Sequence, residues 1–236
     1  MSLNPESANP PPNVLLIGAR DWEHEAWTSL FYPDDMPQEW RLVYYANEFR
    51  TVLVPGDTWG RVSPEQVSQW REDVGEGFVF FLEPPPGLSA PRVQESFVRQ
   101  ARALKGCMGG IVLRTPAGTA RSRSEWEAWL ARLPGDYPVF VDARGGAPPA
   151  AAMELFAAHG VTLCWDSQAA PRVAATRFGI VRAADGSGDP RALRGLVQAF
   201  AQQAPAGQTA ALVFEGEPPP IQTLRDAVVI ARLLGV

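Results

Sequence analysis

The sequence predicts an α/β chain folded as a closed (β/α)8 barrel, and three observations carry that expectation. Eight short apolar runs recur along the 236 residues, at 14–18, 51–54, 78–82, 110–113, 139–141, 161–165, 179–181 and 210–214. Amphipathic stretches separate most of them, the alternation from which βαβ units build a parallel sheet. Nearly every run is followed by a charged residue, as happens where strands deliver polar groups to the carboxyl-terminal mouth of a TIM barrel. Apolar residues at 46% and charged residues at 20% suit one large globular domain with a sizeable core.

The elements follow in order. Residues 1–12 read as a disordered leader, polar and proline-rich, with neither the positive start nor the apolar segment of a signal peptide. Residues 13–236 then form the single barrel domain. After the first run, Trp40, Leu42, Val43, Tyr45 and Ala46 are spaced for one face of a helix leading into the run at Thr51. Ser63, Pro64 and Gln66 make a capping-box start for a helix ending near Val74. Val93, Phe97, Ala101 and Leu104 mark the next helix, with Gly106 as its stop. Ser124 opens a helix carrying Trp126, Trp129, Leu130 and Leu133, which Pro134 and Gly135 terminate. Pro148 and Pro149 open another, with Met153, Phe156 and Ala157 inward. Only about a dozen residues, Asp166 to Arg177, separate runs six and seven, too few for a helix and two loops, so an irregular crossover is expected. Leu193, Leu196, Val197 and Phe200 define the penultimate helix, and Ile221 to Leu234 the last. Prolines 84–86 and 218–220 should wall the mouth.

A net charge of −5 offers no electrostatic argument for nucleic acid or an anionic membrane. No stretch approaches the roughly 20 apolar residues of a membrane span. Cys107 and Cys164 lack metal-ligand spacing, which favours reduced thiols and a cytoplasmic location.

The strand ends deliver Arg20, Asp21, Asp57, Glu83, Arg114, Asp142, Arg144, Asp166, Arg182 and Glu215. Guanidinium forks bind phosphate or carboxylate in bidentate fashion, so Arg20, Arg114, Arg144 and Arg182 point to an anionic small-molecule ligand, with Asp21, Trp22 and Glu215 beside them. The alternative is that each arginine pairs with a neighbouring carboxylate, Asp142 with Arg144 for instance. Asp142 and Asp166 are the candidates for acid–base catalysis or for holding Mg²⁺ or Mn²⁺. With His24 and His159 the only histidines, a zinc site is not expected. His24, in the loop after the first strand, is the better placed for proton transfer. Trp22, Trp27, Trp59 and Trp165 follow or end strands, where rings could stack on a ligand or simply pack. Trp40, Trp70, Trp126 and Trp129 lie in helices and are read as packing residues.

The opening motif is distinctive: Ile17-Gly18, Asp21-Trp22, Trp27 and Phe31-Tyr32-Pro33. With Tyr44-Tyr45-Ala46, Phe49-Arg50-Thr51-Val52, Phe78-Val79-Phe80, Asp142-Ala143-Arg144, His159-Gly160-Val161, Asp166-Ser167 and Val181-Arg182, it resembles the YecE-like family, known as domain of unknown function 72. The resemblance covers nearly the whole chain and implies a TIM barrel. Departures cluster at the mouth. The family's Val-Glu-Ile-Asn on strand two is Val52-Leu53-Val54-Pro55 here, its lysine after strand three is Glu83, and its histidine after Glu-Phe-Arg is Gly145. The Tyr and His around its last Arg are Ile180 and Ala184, and its Phe-Asn-Asn is Phe214-Glu215-Gly216.

These residues lead to a barrel that binds a small polar, anionic ligand such as a sugar phosphate or nucleotide fragment at its mouth, with or without catalysis. The rival expectation is a non-catalytic relative acting through a protein partner or by self-association.

Overall fold

Nine parallel strands form one sheet in the computed structural model, which describes residues 14–115, 121–144, 148–168, 175–182 and 189–236. They are β1 (Val14–Arg20), β2 (Thr51–Val54), β3 (Val79–Leu82), β4 (Met108–Thr115), β5 (Val139–Ala143), β6 (Thr162–Leu163), β7 (Trp165–Asp166), β8 (Phe178–Val181) and β9 (Thr209–Phe214). Their order is β6-β5-β4-β3-β2-β1-β9-β8-β7. The two ends of that order are halves of one segment divided at Cys164, and this brings the sheet round into the expected barrel. The first half pairs with β5 (Phe140 with Thr162, Val141 with Leu163) and the second with β8 (Trp165 with Gly179, Asp166 with Ile180). Eight predicted runs therefore become nine strands because the sixth changes partner midway.

Seven α-helices cover the barrel among the described residues: α1 (Arg41–Glu48), α2 (Pro64–Asp73), α3 (Pro91–Ala103), α4 (Arg123–Leu130), α5 (Ala150–Ala158), α6 (Pro190–Gln203) and α7 (Ile221–Leu234). Ser63 caps α2 through the predicted box, its hydroxyl accepting from Gln66 N while the Gln66 side chain accepts from Ser63 N. The α4 cap is Ser122, two residues before the expected Ser124, because Glu125 stands three residues on and completes a capping box. The described parts of the crossover between β7 and β8 hold no helix, and its centre, like the expected leader, lies outside the described residues.

Side chains alternate between two apolar layers, as strand geometry requires. Leu16, Leu53, Phe81, Val112, Phe140, Cys164, Phe178, Ile180, Ala211 and Val213 fill the barrel interior. Phe81, Phe140 and Phe178 meet there, with ring centroids 4.4 to 5.8 Å apart. Burying each such ring is worth roughly 1.5–3 kcal/mol. Their neighbours along the strands, such as Ile17, Val52, Phe80, Ile111 and Leu212, face the helices.

β1 and β2 meet closely at Gly18, whose added Cβ would lie 1.9 Å from Thr51 O. One residue on, the buried Tyr45 hydroxyl accepts from Ala19 N at 2.8 Å and donates to Thr51 O at 2.8 Å, bridging the two strands from α1. Two expected helix faces are corrected. Leu42, Tyr45 and Ala46 turn inward on α1, but Trp40 and Val43 point outward, Trp40 with 64% of its surface exposed. On α5 Phe156 is buried as expected, but its buried companions are Ala152 and Leu155, whereas Met153 and Ala157 are exposed.

Candidate functional site at the barrel mouth

The interior apolar layer dictates what lies above it. Two residues beyond Phe81 comes Glu83, beyond Val112 Arg114, beyond Phe140 Asp142, beyond Cys164 Asp166, beyond Ile180 Arg182, and beyond Val213 Glu215. Arg20 stands four residues beyond Leu16 and Arg144 two beyond Asp142. The period of two therefore aims a layer of charge along the barrel axis at the carboxyl ends of the strands. Only the position after β2 breaks the ring, because Pro55 stands two residues beyond Leu53.

The layer holds four guanidinium groups and four carboxylates, interleaved. Arg20 grips Glu83 with two parallel bonds, Nε to Oε1 at 2.7 Å and Nη2 to Oε2 at 2.9 Å. Arg114 lies 3.1 Å from Glu83 and 3.5 Å from Asp142, and it pairs with Glu215. Arg182 reaches Asp142 at 2.6 Å, Asp166 at 2.7 Å and Glu215 at 2.9 Å. Arg144 completes the set, 3.3 Å from Asp142 and paired with Glu215.

Burial alone would raise the Glu215 carboxyl, but Arg114, Arg182 and Arg144 outweigh it and hold the group below the usual glutamate range. For Arg182 the largest effect is desolvation, which opposes its charge; hydrogen bonds to Asp142 and Asp166 reverse the balance and raise its pKa. The Arg20 pKa is raised chiefly by its hydrogen bond to Glu83.

The ring contains every arginine and carboxylate expected at the strand ends except Asp57, which lies 3.8 Å from Arg61 on the surface, and Asp21. That residue turns back on its own backbone at φ 69°, its Oδ1 accepting from Trp22 N at 2.7 Å and Glu23 N at 3.0 Å. Trp22 is corrected too: it is 2% exposed, edge-on to Trp70 of α2 with centroids 4.9 Å apart, and its ring cannot stack on a ligand at the mouth. Trp27 and Trp59 are likewise buried and tie loops down. Trp27 Nε1 donates to Pro219 O at 3.0 Å, and Trp59 Nε1 to Glu83 O at 2.7 Å. His24 Nε2 sits 3.0 Å from Arg20 O, and burial lowers its pKa.

Glu83 is the ring member that the expected ligand set omitted. It accepts from Arg20, neighbours Arg114, and takes the Gly56 N–H at 3.2 Å. Its signal was already in the sequence, as a charge reversal at the end of the third strand. Each ring carboxylate is within ion-pair distance of an arginine. Among the described residues no group of three or more His, Cys, Asp or Glu is placed to hold a metal ion, and no helix is long and apolar enough to cross a membrane.

A parallel barrel with its charge gathered at the strand carboxyl ends places the chain in the (β/α)8 class. Residues 16–236 match the family model described as protein of unknown function DUF72, and the chain belongs to that family. It is similar to a solved DUF72 family protein of Thermotoga maritima, with 15% identity, a TM-score of 0.69, and coverage of 93% of this chain and 99% of that one. A DUF72 family protein of Enterococcus faecalis shares 12% identity at a TM-score of 0.65, covering 94% and 98%. A D-psicose 3-epimerase solved in the presence of D-fructose has a TM-score of 0.52 at 9% identity, covering 96% and 100%. At such identities the likeness is one of fold. No functionally curated protein matches the chain.

Proposed function

We propose that the mouth receives a small polar ligand through an anionic group, such as the phosphate of a sugar phosphate or nucleotide fragment, and that Arg20 and Arg144 make the first contact. One observation carries this reading: the two most exposed members of a charge-balanced ring are cationic. The Arg20 and Arg144 side chains are 33% and 35% exposed, whereas Asp142 is 1% and Glu215 10% exposed beneath them. A guanidinium with part of its fork facing water has donors to offer a phosphate or carboxylate. The half-buried Arg114 and Arg182 neutralise the carboxylates and form a floor between them.

For catalysis, Asp166 is the better placed of the two expected carboxylates. It is 20% exposed and has Arg182 as its ion-pair partner, whereas Asp142 lies under Arg114, Arg144 and Arg182 and acts as a positioning residue. A divalent ion such as Mg²⁺ or Mn²⁺ would approach the ring through Asp166.

The test is a thermal-shift screen against inorganic phosphate, sugar phosphates, nucleotides, neutral sugars and divalent metals, repeated on Arg144→Gln. A ligand at 100 times its Kd adds about 2.7 kcal/mol of stability. A shift with phosphate-bearing compounds that Arg144→Gln removes supports the reading. No shift with any of them supports the second reading, a non-catalytic barrel whose ring is a structural plug and which acts through a protein partner. The closed pairing of the ring favours that alternative.

A further inference from the structure

A cavity on the outer wall of the barrel, away from the mouth, is built for the opposite charge. It has a volume of about 520 Å³, within the range of small-molecule sites, and lies between the outward stripe of α1 with its preceding turn and the end of α2. Trp40, Val43, Tyr44 and Met36 supply its apolar surface, and Glu39 and Asp73 its charge. Among the described residues no arginine, lysine or histidine lines it. Gln69 Nε2 donates to Asp73 Oδ1 at 2.8 Å, which fixes that carboxylate at the α2 wall. A neighbouring cavity of about 400 Å³ shares Glu39, Gln69 and Asp73, so both carboxylates border the two spaces.

Trp40 is what calls for explanation. An indole with 64% of its surface in water, beside an exposed Val43 at the rim of a concavity, is surface that folding leaves unburied. Aromatic faces carry negative potential and attract cations, most strongly in the case of tryptophan. The two carboxylates of the lining add to that attraction, and the cation bordering the adjoining cavity, Arg61, lies 3.8 Å from Asp57. We propose that this cavity binds a small organic cation of the alkylammonium class, with its apolar groups against Trp40 and Tyr44 and its charge held by Glu39 and Asp73. The site is separate from the mouth and uses none of its residues.

Isothermal titration of the whole chain with choline and tetramethylammonium tests this, with 3,3-dimethylbutan-1-ol as the uncharged isostere of choline. Both cations should bind at one site per chain, and the alcohol about tenfold or more weaker. Trp40→Ala and Asp73→Asn should each weaken the cations by about tenfold, the scale of one desolvated cation–π or charge contact. Arg144→Gln at the mouth should leave them unchanged. Trp40 is exposed, so its replacement spares the core, and equal melting temperatures for wild type and variants would establish that. The proposal is overturned if neither cation binds, if the alcohol binds as well as choline, or if both variants bind like wild type. Binding of lysine-rich peptides without binding of the free cations also overturns it, in favour of a protein-docking surface.

Discussion

Arg182 reaches past the divided strand to Asp142: its Nη2 lies 2.6 Å from Oδ1 of a carboxylate that is 1% exposed, and its Nη1 lies 3.3 Å from Oδ2. The two strands that flank the divided one, β5 and β8, are thus joined by charge above it.

The first consequence concerns Arg182→Ala. A residue that served only a ligand could be replaced with folding intact. The geometry reverses that expectation, because the variant strands Asp142 and Asp166 without their principal partner. We expect a loss of about 3–5 kcal/mol, the scale for breaking a buried pair from one side. Arg182→Met combined with Asp142→Leu should recover much of it. Urea unfolding midpoints decide the matter; a single variant as stable as wild type would show that the ring contributes nothing to folding.

Glu83→Lys restores the residue type of the resembling family at the end of β3. Here it would place an ammonium against Arg20 and Arg114 and leave five cations facing three carboxylates. We expect destabilisation by at least about 3 kcal/mol, together with tighter phosphate binding if the mouth takes anions. Unfolding curves with and without phosphate report both effects.

The depressed Glu215 carboxyl sets an acid limit. The unfolded chain takes up this proton near the ordinary glutamate value of about 4.3, whereas the folded chain resists it. The stability it contributes is therefore complete above that pH and is lost as pH falls through the lower, folded value. The unfolding midpoint of wild type should fall more steeply below about pH 4.3 than that of Glu215→Gln. Parallel curves would show that the ring does not hold Glu215 ionised.

His24 acts in a higher window. Burial lowers its pKa, so the unfolded chain binds this proton first, near about 6.5, and stability falls as pH drops below that value. The imidazole should remain neutral at pH 7 and titrate below the ordinary histidine value when followed by NMR. His24→Gln should remove the corresponding slope from the stability profile.

Tyr45→Phe isolates the bridge between β1 and β2. The ring still fills its site, but Ala19 N and Thr51 O lose their shared hydroxyl in a buried place. A cost of about 1–3 kcal/mol follows for each group left unsatisfied. Calorimetry and amide exchange at Ala19 would register it, and an unchanged profile would mean that water enters there.

Much of this architecture is readable in the sequence, for an identifiable reason. A buried parallel strand must be apolar throughout, so Val52-Leu53-Val54 and Leu212-Val213-Phe214 announce themselves, and the first charge after each run marks where the barrel ends. The same rule locates Arg114, Asp142, Arg182 and Glu215, since the period of two continues one step beyond the apolar interior. What the sequence conceals is pairing. Arg144 two residues from Asp142 suggests a local ion pair, but nothing in the order of residues indicates that Arg182 also reaches Asp142, or that Glu215 collects three arginines. The tryptophans mislead for a related reason. Strand-end position is compatible with facing either a ligand or the helices, and Trp22 faces Trp70, a contact set by tertiary packing. Trp40 misleads in the other direction, because helical spacing identifies a stripe without revealing what, if anything, covers it.

The divided strand at 162–166 gives the barrel a seam. On each side of Cys164 only two residue pairs join it to its neighbours, whereas six join β1 to β9. Mechanically the sheet is a curved ribbon, most closely tied between β9 and β1, whose free margins are fastened by a short clasp. Asp166 is the last residue of that clasp, and Arg182, just beyond β8, grips it from the other margin. The ion pair at the mouth is therefore also the pin of the clasp: one contact both balances the charge of the ring and holds the cylinder shut.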